Sequence, residues 1–488
     1  SAQVRNFSHP DIQDVKISYL GREKGFAHRT PGQVPASPYI HLPIPDSKWR
    51  SPMFQSDIIR DVLEFGNGTK RPDDPLIACA LAKTRQTFKL PYSVKMLHLN
   101  DVFQTDLDIW DKAPGLPWKD LGYKTKGDIR RDPDAVQSVR RFWHFVKGGH
   151  KIKAPDCLAY ARAHICDVGE RKVRAVWGYP ATMTFGEAVF ARPLIEAYKN
   201  LADRPIAYGY ETATGGMRKI CERFGRYSKF AALDFKSFDK TVPAWLIDVA
   251  FDILLENMDL TNYQDYGHAD ARRMLRMFYF IKMYFIETVI RISNGDRYKK
   301  FAGIASGSYF TQLIGSICNG FLINYISLKI DGRFPHDVLF MGDDSLVATE
   351  SLWQIDECQK IMDRFGMMLN MAKSQVQRDL HSIKFLGYEI NKGFPKKLLS
   401  EWMISLAFPE YPDKCLADAQ SRALGLMYAN LGIDTYFHAV CHALVALRPF
   451  DVWLPKNLAR MLRFVGVKLE HLDPTSIPSQ RDLWKRLG

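Results

Sequence analysis

No Cys-x-x-Cys pair occurs in the 488 residues, and the eight cysteines (Cys79, Cys157, Cys166, Cys221, Cys318, Cys358, Cys415 and Cys441) are scattered through apolar stretches. That pattern excludes a disulfide framework and points to reduced, buried thiols in a reducing, cytoplasm-like compartment. Two looser groupings, Cys157 with His164 and Cys166, and His438 with Cys441 and His442, lack the paired spacing of a zinc module. The first sixteen residues, SAQVRNFSHPDIQDVK, carry no apolar run, so no signal peptide is expected. The most apolar helical pattern, around 274–290, is broken by Lys282 and Glu287, which argues against a bilayer span and against a membrane partner. No internal repeat and no low-complexity linker is present.

What is present is positive charge and apolar mass. Lys and Arg number 67 against 54 Asp and Glu, a net +13. A surplus of that size suits a polyanionic partner, nucleic acid first, although a basic enzyme of another kind would show it too. With 46% hydrophobic residues the chain can bury a large core, and its length suits two or three lobes around a shared centre.

The first hundred residues are rich in proline and turn formers, and read as extended chain lying over a surface. From 128 to 228 helices dominate, with one basic strand at 171–176. A short apolar strand at 229–234 then leads into an acidic loop, and helices are expected at 243–257 and 269–285. Asn294-Gly295 between two strand-like runs, 286–292 and 297–301, predicts a hairpin. A long apolar helix at 308–328, two short strands at 338–341 and 345–348, a helix at 352–365 and a strand pair at 384–390 follow, with helices beyond 398. The expected class is α+β, a mixed core between helical masses.

The sharpest feature is VLFMGDDSLVA at 338–348, where two β-rich runs meet at a turn carrying Asp343 and Asp344. Gly342 allows the tight turn. Carboxylates at the tip of two apolar strands sit at the exposed end of a buried sheet, where they can face a metal. Upstream, AALDFKSFDK places Asp234 at the end of an apolar strand and Asp239 five positions on. If the two strands are neighbours, Asp234 and Asp343 converge, and hard oxygen ligands of that kind suit Mg²⁺. Asp239 alone would also serve as a helix cap before Pro243. Between the acidic elements lies GIASGSYFTQLIGSICNG at 303–320, in which Ser306, Gly307 and Ser308 offer amides and hydroxyls to a sugar-phosphate backbone. Thr311 and Asn319 continue one face of the helix that follows.

Taken in order, these three blocks resemble the palm motifs of viral RNA-dependent RNA polymerases, and the wording SGSYFTQLIGSICN followed by MGDDS is most similar to partitivirus enzymes, with picobirnavirus enzymes next. GMMLNMAKS at 366–374 resembles the fourth motif, with its lysine at Lys373, and KFLGYEI at 384–390 the fifth. Arg171, Lys172 and Arg174 resemble the basic fingers motif that holds the incoming triphosphate. Pro114 to Trp118, with Gly115, Leu116 and Pro117 at its centre, resembles the motif over which template enters. The likeness runs from about residue 111 to 430. One position departs from many positive-strand virus enzymes: the asparagine four residues after the second-motif threonine is here Gly315. Asp239 is then expected to read the ribose with Ser306, Thr311 or Asn319 as partner.

The resemblance implies a right-hand polymerase with an antiparallel palm sheet, helical fingers and thumb, and an N-terminal extension that closes them. The implied divisions are 1–110 extension, 111–228 fingers, 229–268 palm, 269–302 fingers return, 303–397 palm and 398–488 thumb. It implies two Mg²⁺ ions, with Mn²⁺ as substitute, held by Asp234, Asp343, Asp344 and the main-chain carbonyl of Phe235, and Lys373 as general acid toward pyrophosphate. Implied partners are single- and double-stranded RNA as template and product, NTPs and a viral capsid protein. Implied places of work are the virion interior and the host cytoplasm, and de novo initiation is the family expectation. Two alternatives differ in testable ways. A reverse transcriptase would carry a bulky residue where Asp239 stands, and a non-catalytic, capsid-associated RNA-binding protein would have no use for the acidic centre.

Overall fold

The computed structural model describes residues 17–27, 35–44, 46–449, 456–473 and 476–487. The N-terminal sixteen residues and part of the proline-rich stretch therefore lie outside the described residues. A four-stranded sheet runs through the middle, in the order Asp337–Met341, Asp344–Ala348, Phe230–Ala232, Gln375–Gln377. All of its neighbours are antiparallel.

Side chains alternate across this sheet as the period of two requires. Phe230, Ala232, Leu339, Leu346 and Ala348 face one hydrophobic core, which the C-terminal helices complete. Ala231, Leu233, Phe340 and Val347 face a second, larger core on the other side. Both faces are buried, which explains why the strands read as near-continuous apolar runs. Within the larger core lies Thr311–Asp331, a helix long and apolar enough by composition to cross a membrane. Its residues 313–327 are all buried inside the protein. That helix, not the stretch at 274–290, is the more apolar of the two; the latter forms the expected helix, Ala271–Ile286, with Lys282 paired to Asp248 at 2.7 Å.

A second sheet of five strands has the order Ser18–Arg22, Asp296–Lys299, Val289–Arg291, Cys157–Ala163, Val173–Gly178. The expected hairpin is there: Val289–Arg291 and Asp296–Lys299 pair antiparallel, and Gly295 takes φ +97°. Two expectations need correction. The region 128–228 holds the strand Cys157–Ala163 as well as the basic one, because its partners lie at Val173–Gly178 and, far downstream, at Val289–Arg291. The pairing with Val173–Gly178 is a hairpin close in sequence, whereas that with Val289–Arg291 is non-local and leaves no local signal.

The first hundred residues are also more than surface chain. The helix Pro75–Phe88 is capped by Asp74, whose side chain accepts the Leu76 N–H, and Pro75 opens it at a position where no amide is needed. Its buried Ile77, Leu81, Thr84 and Phe88 pack into the larger core. Asn324 donates to Thr84 Oγ1 at 3.2 Å, the Tyr198 hydroxyl donates to the Phe88 carbonyl at 2.6 Å, and the Phe88 ring lies 6.2 Å from that of Phe340. Further upstream, Arg50 donates to Ala163 O at 2.8 Å and to Phe408 O at 2.9 Å, so this segment links the basic sheet to the C-terminal helices.

Phe88→Ala should therefore cost about 3–5 kcal/mol of stability, the range for a fully buried phenylalanine. Denaturant unfolding checks this, and a loss below about 1 kcal/mol would mean that the N-terminal helix is not part of the core.

Candidate active site

The strand pairing sets up the acidic centre. Val347 stands opposite Ala231, and Ala348 opposite Phe230. Continuing that register brings Asp234 level with Asp344, beside the turn that carries Asp343. The convergence expected from sequence is thus a consequence of the sheet. Gly342 takes φ +58° in the turn, a left-handed conformation that favours glycine, and the end of the Gln312 side chain lies over it.

The turn is held from below. Ser316 Oγ accepts the Gly342 N–H at 2.9 Å. Asn319 Nδ2 donates to the carbonyls of Gly342 and Asp344 at 3.0 and 3.3 Å. Asn319 is completely buried. The structure thus places it under the turn, away from the open surface where a ribose would be met. Thr311 donates to the Ala305 carbonyl at 2.9 Å, and Ser306 Oγ accepts the Trp177 N–H at 3.1 Å, tying the loop to the basic strand. Gly307, at φ +93°, lies so close to the Trp177 carbonyl that a Cβ would approach it to 2.3 Å. The Ser308 hydroxyl hydrogen-bonds to buried Glu187, which also accepts the Tyr309 N–H at 3.2 Å. Of these small and polar residues, Gly307 is the one open to solvent; Ser306, Ser308 and Thr311 are half-buried and spend their hydroxyls inside the protein.

Asp239 caps no helix. It lies within the single turn Phe238–Thr241, whose capping position is Ser237, and Pro243 holds the capping position of the next helix, Ala244–Glu256. Ser237 adopts φ +53°, a left-handed conformation uncommon for serine, between the two acids. The Asp239 carbonyl accepts the Ile304 N–H at 2.7 Å, which fastens the first acidic loop to the start of the 303–320 block. The Asp234 main chain is fixed by the 366–374 block: its N–H donates to Ser374 Oγ at 2.9 Å and its carbonyl accepts the Asn370 N–H at 2.7 Å. Phe235 is buried in a two-residue strand paired with Leu369.

Side chains of Asp239 and Asp343 are open to solvent at the floor of a cleft surrounded by protein, and Asp344 is half-buried. Crowding by protein, then the charge of Asp343, pushes the Asp239 pKa up to about 7. Burial, then the charges of Asp343 and Asp234, pushes Asp344 up to about 7. Asp343 is raised by burial and by Asp234. Among the described residues, no cation is in direct contact with these acids to offset their repulsion. Basic side chains form the rim. Arg174 lowers both Asp239 and Asp343, and Lys172 feels Arg174, Lys373 and Asp234. Lys373 is exposed. Among the described residues, no three His, Cys, Asp or Glu side chains form a ready-made metal cage.

Two residues that position this rim carried no flag in the sequence. Asp57 and Asp61 share a face of the helix Gln55–Leu63 and are buried. Asp57 pairs with Arg171 at 3.4 Å, and Asp61 accepts the Ala175 N–H at 2.8 Å while pairing with Lys240. Their i, i+4 spacing was the available signal. Arg171 also stacks on Phe54, 5.1 Å from its ring centre. The loop with Gly115, Leu116 and Pro117 packs against the start of the helix Ala181–Lys199: Ala181 N–H donates to Pro114 O at 2.8 Å. Leu116 is buried and Pro117 exposed.

A mixed helix-and-sheet chain with a carboxylate-tipped hairpin facing a basic strand is the class these observations define. A family model for viral RNA-dependent RNA polymerase matches residues 61–445, and the chain belongs to that family. The RNA-directed RNA polymerase of Atkinsonella hypoxylon virus (isolate 2H) is 27% identical over 332 residues, 57% of this chain and 48% of that protein. That of Cryptosporidium parvum virus 1 (strain KSU-1) is 27% identical over 345 residues, 65% and 62%. That of white clover cryptic virus 1 (isolate Boccardo/2004) is 25% identical over 338 residues, 60% and 54%. The chain spans about half to three-fifths of the length of the curated relatives it matches. These findings bear out the resemblance that the motifs carried.

The raised acid gives a pH prediction. Folded Asp344 holds its proton up to about pH 7, whereas the unfolded group releases it near its ordinary 3.8, so its contribution to stability falls as pH rises through that window. Asp344→Asn should gain stability relative to the native chain as pH rises from about 4 to about 7, in chelator-treated protein. A difference in melting temperature that stays constant across this range would contradict the assignment.

Proposed function

We propose that the chain is the polymerising part of an RNA-dependent RNA polymerase of a double-stranded RNA virus, joining NTPs to the 3′-hydroxyl of a growing strand on an RNA template. Family membership supports the reaction class, and the convergence of Asp234, Asp343 and Asp344 at one end of the sheet, set by the pairing of Phe230–Ala232 with Asp344–Ala348, is the observation that carries the chemistry. The donor set fits Mg²⁺. Magnesium takes one or two carboxylates and completes its shell with water and substrate phosphates, so a protein cage of three or more ligands is not required. Asp234 and Asp343 are the principal ligands in this reading, with Asp344 and the Phe235 carbonyl beside them. Mn²⁺ is the expected substitute. When bound, two such ions lower the pKa of the 3′-hydroxyl and offset the charge of the leaving pyrophosphate.

The chain's own residues supply position and counter-charge, which make up most of phosphoryl-transfer catalysis. Arg174 and Lys172 face the acids from the rim and take the triphosphate, with arginine suited to bidentate phosphate contact. Asp239 accepts the ribose hydroxyl. Ser306 is half-buried near the cleft, whereas Asn319 acts by holding the turn. Lys373 gives its proton to pyrophosphate. In the right-hand description, the four-stranded sheet is the palm, the basic sheet belongs to the fingers and the helices beyond 398 form the thumb. The contacts of Arg50 support an N-terminal segment that spans fingers and thumb. De novo initiation, a capsid protein partner, and work in the virion interior and host cytoplasm belong to the same proposal.

Asp343→Ala should abolish nucleotide incorporation on a short RNA template and leave RNA binding intact; incorporation near the native rate would remove the metal-ligand role. Lys373→Leu should slow single-turnover chemistry more than it weakens nucleotide affinity, and an effect on affinity alone would remove its general-acid role. Comparison of NTP with dNTP incorporation separates this reading from a reverse transcriptase.

A further inference from the structure

A cavity of about 420 Å³ opens between the end of the helix Pro133–Lys147, the short helix Leu99–Val102, the strand Met258–Tyr263 and the start of the helix Ala271–Ile286. It shares no lining residue with the acidic centre or its rim. Its size falls within the range of pockets that enclose a small ligand, roughly 300–1,000 Å³. Arg140, Arg141, Lys147 and Arg273 line it, together with His98 and Tyr263.

The charge balance of this cavity is one-sided. Among the described residues, none of those four cations has an ion-pair partner. Among the described residues, Asp270 is the one acid in the lining, and its Oδ1 accepts the Arg272 and Arg273 N–H groups at 2.9 and 3.3 Å, where it caps the helix. Arg273 reaches His144 Nδ1 at 3.3 Å, a contact that leaves its charge unmatched. Burial, and then the charge of Arg273, holds the Lys147 ammonium below its ordinary range. His98 is fixed as well: its Nδ1 accepts the Asn100 N–H at 3.0 Å, which leaves Nε2 as the donor of the neutral ring. The ring stacks on Tyr266 at 3.8 Å and meets Tyr263 edge-on at 4.7 Å.

We propose that this cavity is a second phosphate site, which takes phosphate groups of an RNA strand or of a free nucleotide outside the acidic cleft. Three arginines offer forked donors to phosphate oxygens, Lys147 a point charge and His98 a fixed N–H. An anion there offsets the like-charge crowding of Lys147 and Arg273, as a cation does among the aspartates of the cleft. The proposal rests on the polymerase reading only for the choice of RNA and nucleotide as ligands.

The test reads binding without nucleotide incorporation. The 488-residue chain is treated with an amine-reactive reagent and the labelling of Lys147 is measured by mass spectrometry, alone, with a 5′-hydroxyl RNA oligonucleotide, and with GTP, in the absence of divalent cations. Protection of Lys147 by RNA alone assigns the site to strand phosphates, and protection by GTP extends it to free nucleotide; either supports the proposal. The double variant Arg141→Gln/Arg273→Gln should lose the protection. Its slope of log affinity for single-stranded RNA against log salt should fall by about 1.4, the value for two lost phosphate contacts. Unchanged labelling of native Lys147 with both ligands overturns the proposal, and that outcome needs no variant to fold. Labelling does not depend on incorporation, so with the incorporation assay run separately on the same protein, an inactive polymerase with a protected Lys147 and an active one with an unprotected Lys147 are distinguishable results.

Discussion

Everything in the cleft depends on the pairing of Phe230–Ala232 with Asp344–Ala348. That pairing joins segments more than a hundred residues apart and brings Asp234 to the level of the Gly342 turn. Gathering carboxylates in this way is unfavourable, as the raised Asp239, Asp343 and Asp344 record. The sheet can hold them together because both of its faces are buried, one in each hydrophobic core. Burial of apolar area on two sides supplies the stabilisation, and the strand ends, where no core residue is needed, carry the charge.

Around this pairing the protein fixes main chain more than side chain. Ser316 and Asn319 hold the turn, Ser374 and Asn370 hold Asp234, and Ile304 holds Asp239. Each bond joins a different sequence block to the same few backbone groups. Among the described residues, the acidic side chains have no ion-pair partner, which suits the metal-binding role proposed for them. The basic rim is positioned the same way, by Asp61 on the backbone of Ala175 and Asp57 on Arg171.

Much of this was legible in the chain. The GDD hairpin, the Asn294-Gly295 hairpin and the apolar helix after Ser308 each carry their own local chemistry: a glycine at positive φ, a turn dipeptide, a long apolar run. What escaped was non-local. The strand Cys157–Ala163 exists through partners on both sides, and the helices at Gln55–Leu63 and Pro75–Phe88 were hidden by the prolines around them. Asn319 shows the limit for site residues. Its spacing put it on the face of a helix with Thr311, but spacing alone does not tell the side of the hairpin turn that a side chain meets, and it lies beneath.

The pairing of Asp234 with Asp343 around a metal is open to direct test by diffraction. Crystals of the protein soaked with Mn²⁺ and a non-hydrolysable NTP should show anomalous scattering between the carboxylates of Asp234 and Asp343, with the triphosphate toward Arg174. Anomalous density elsewhere, or a nucleotide bound with no metal between those two aspartates, would contradict it.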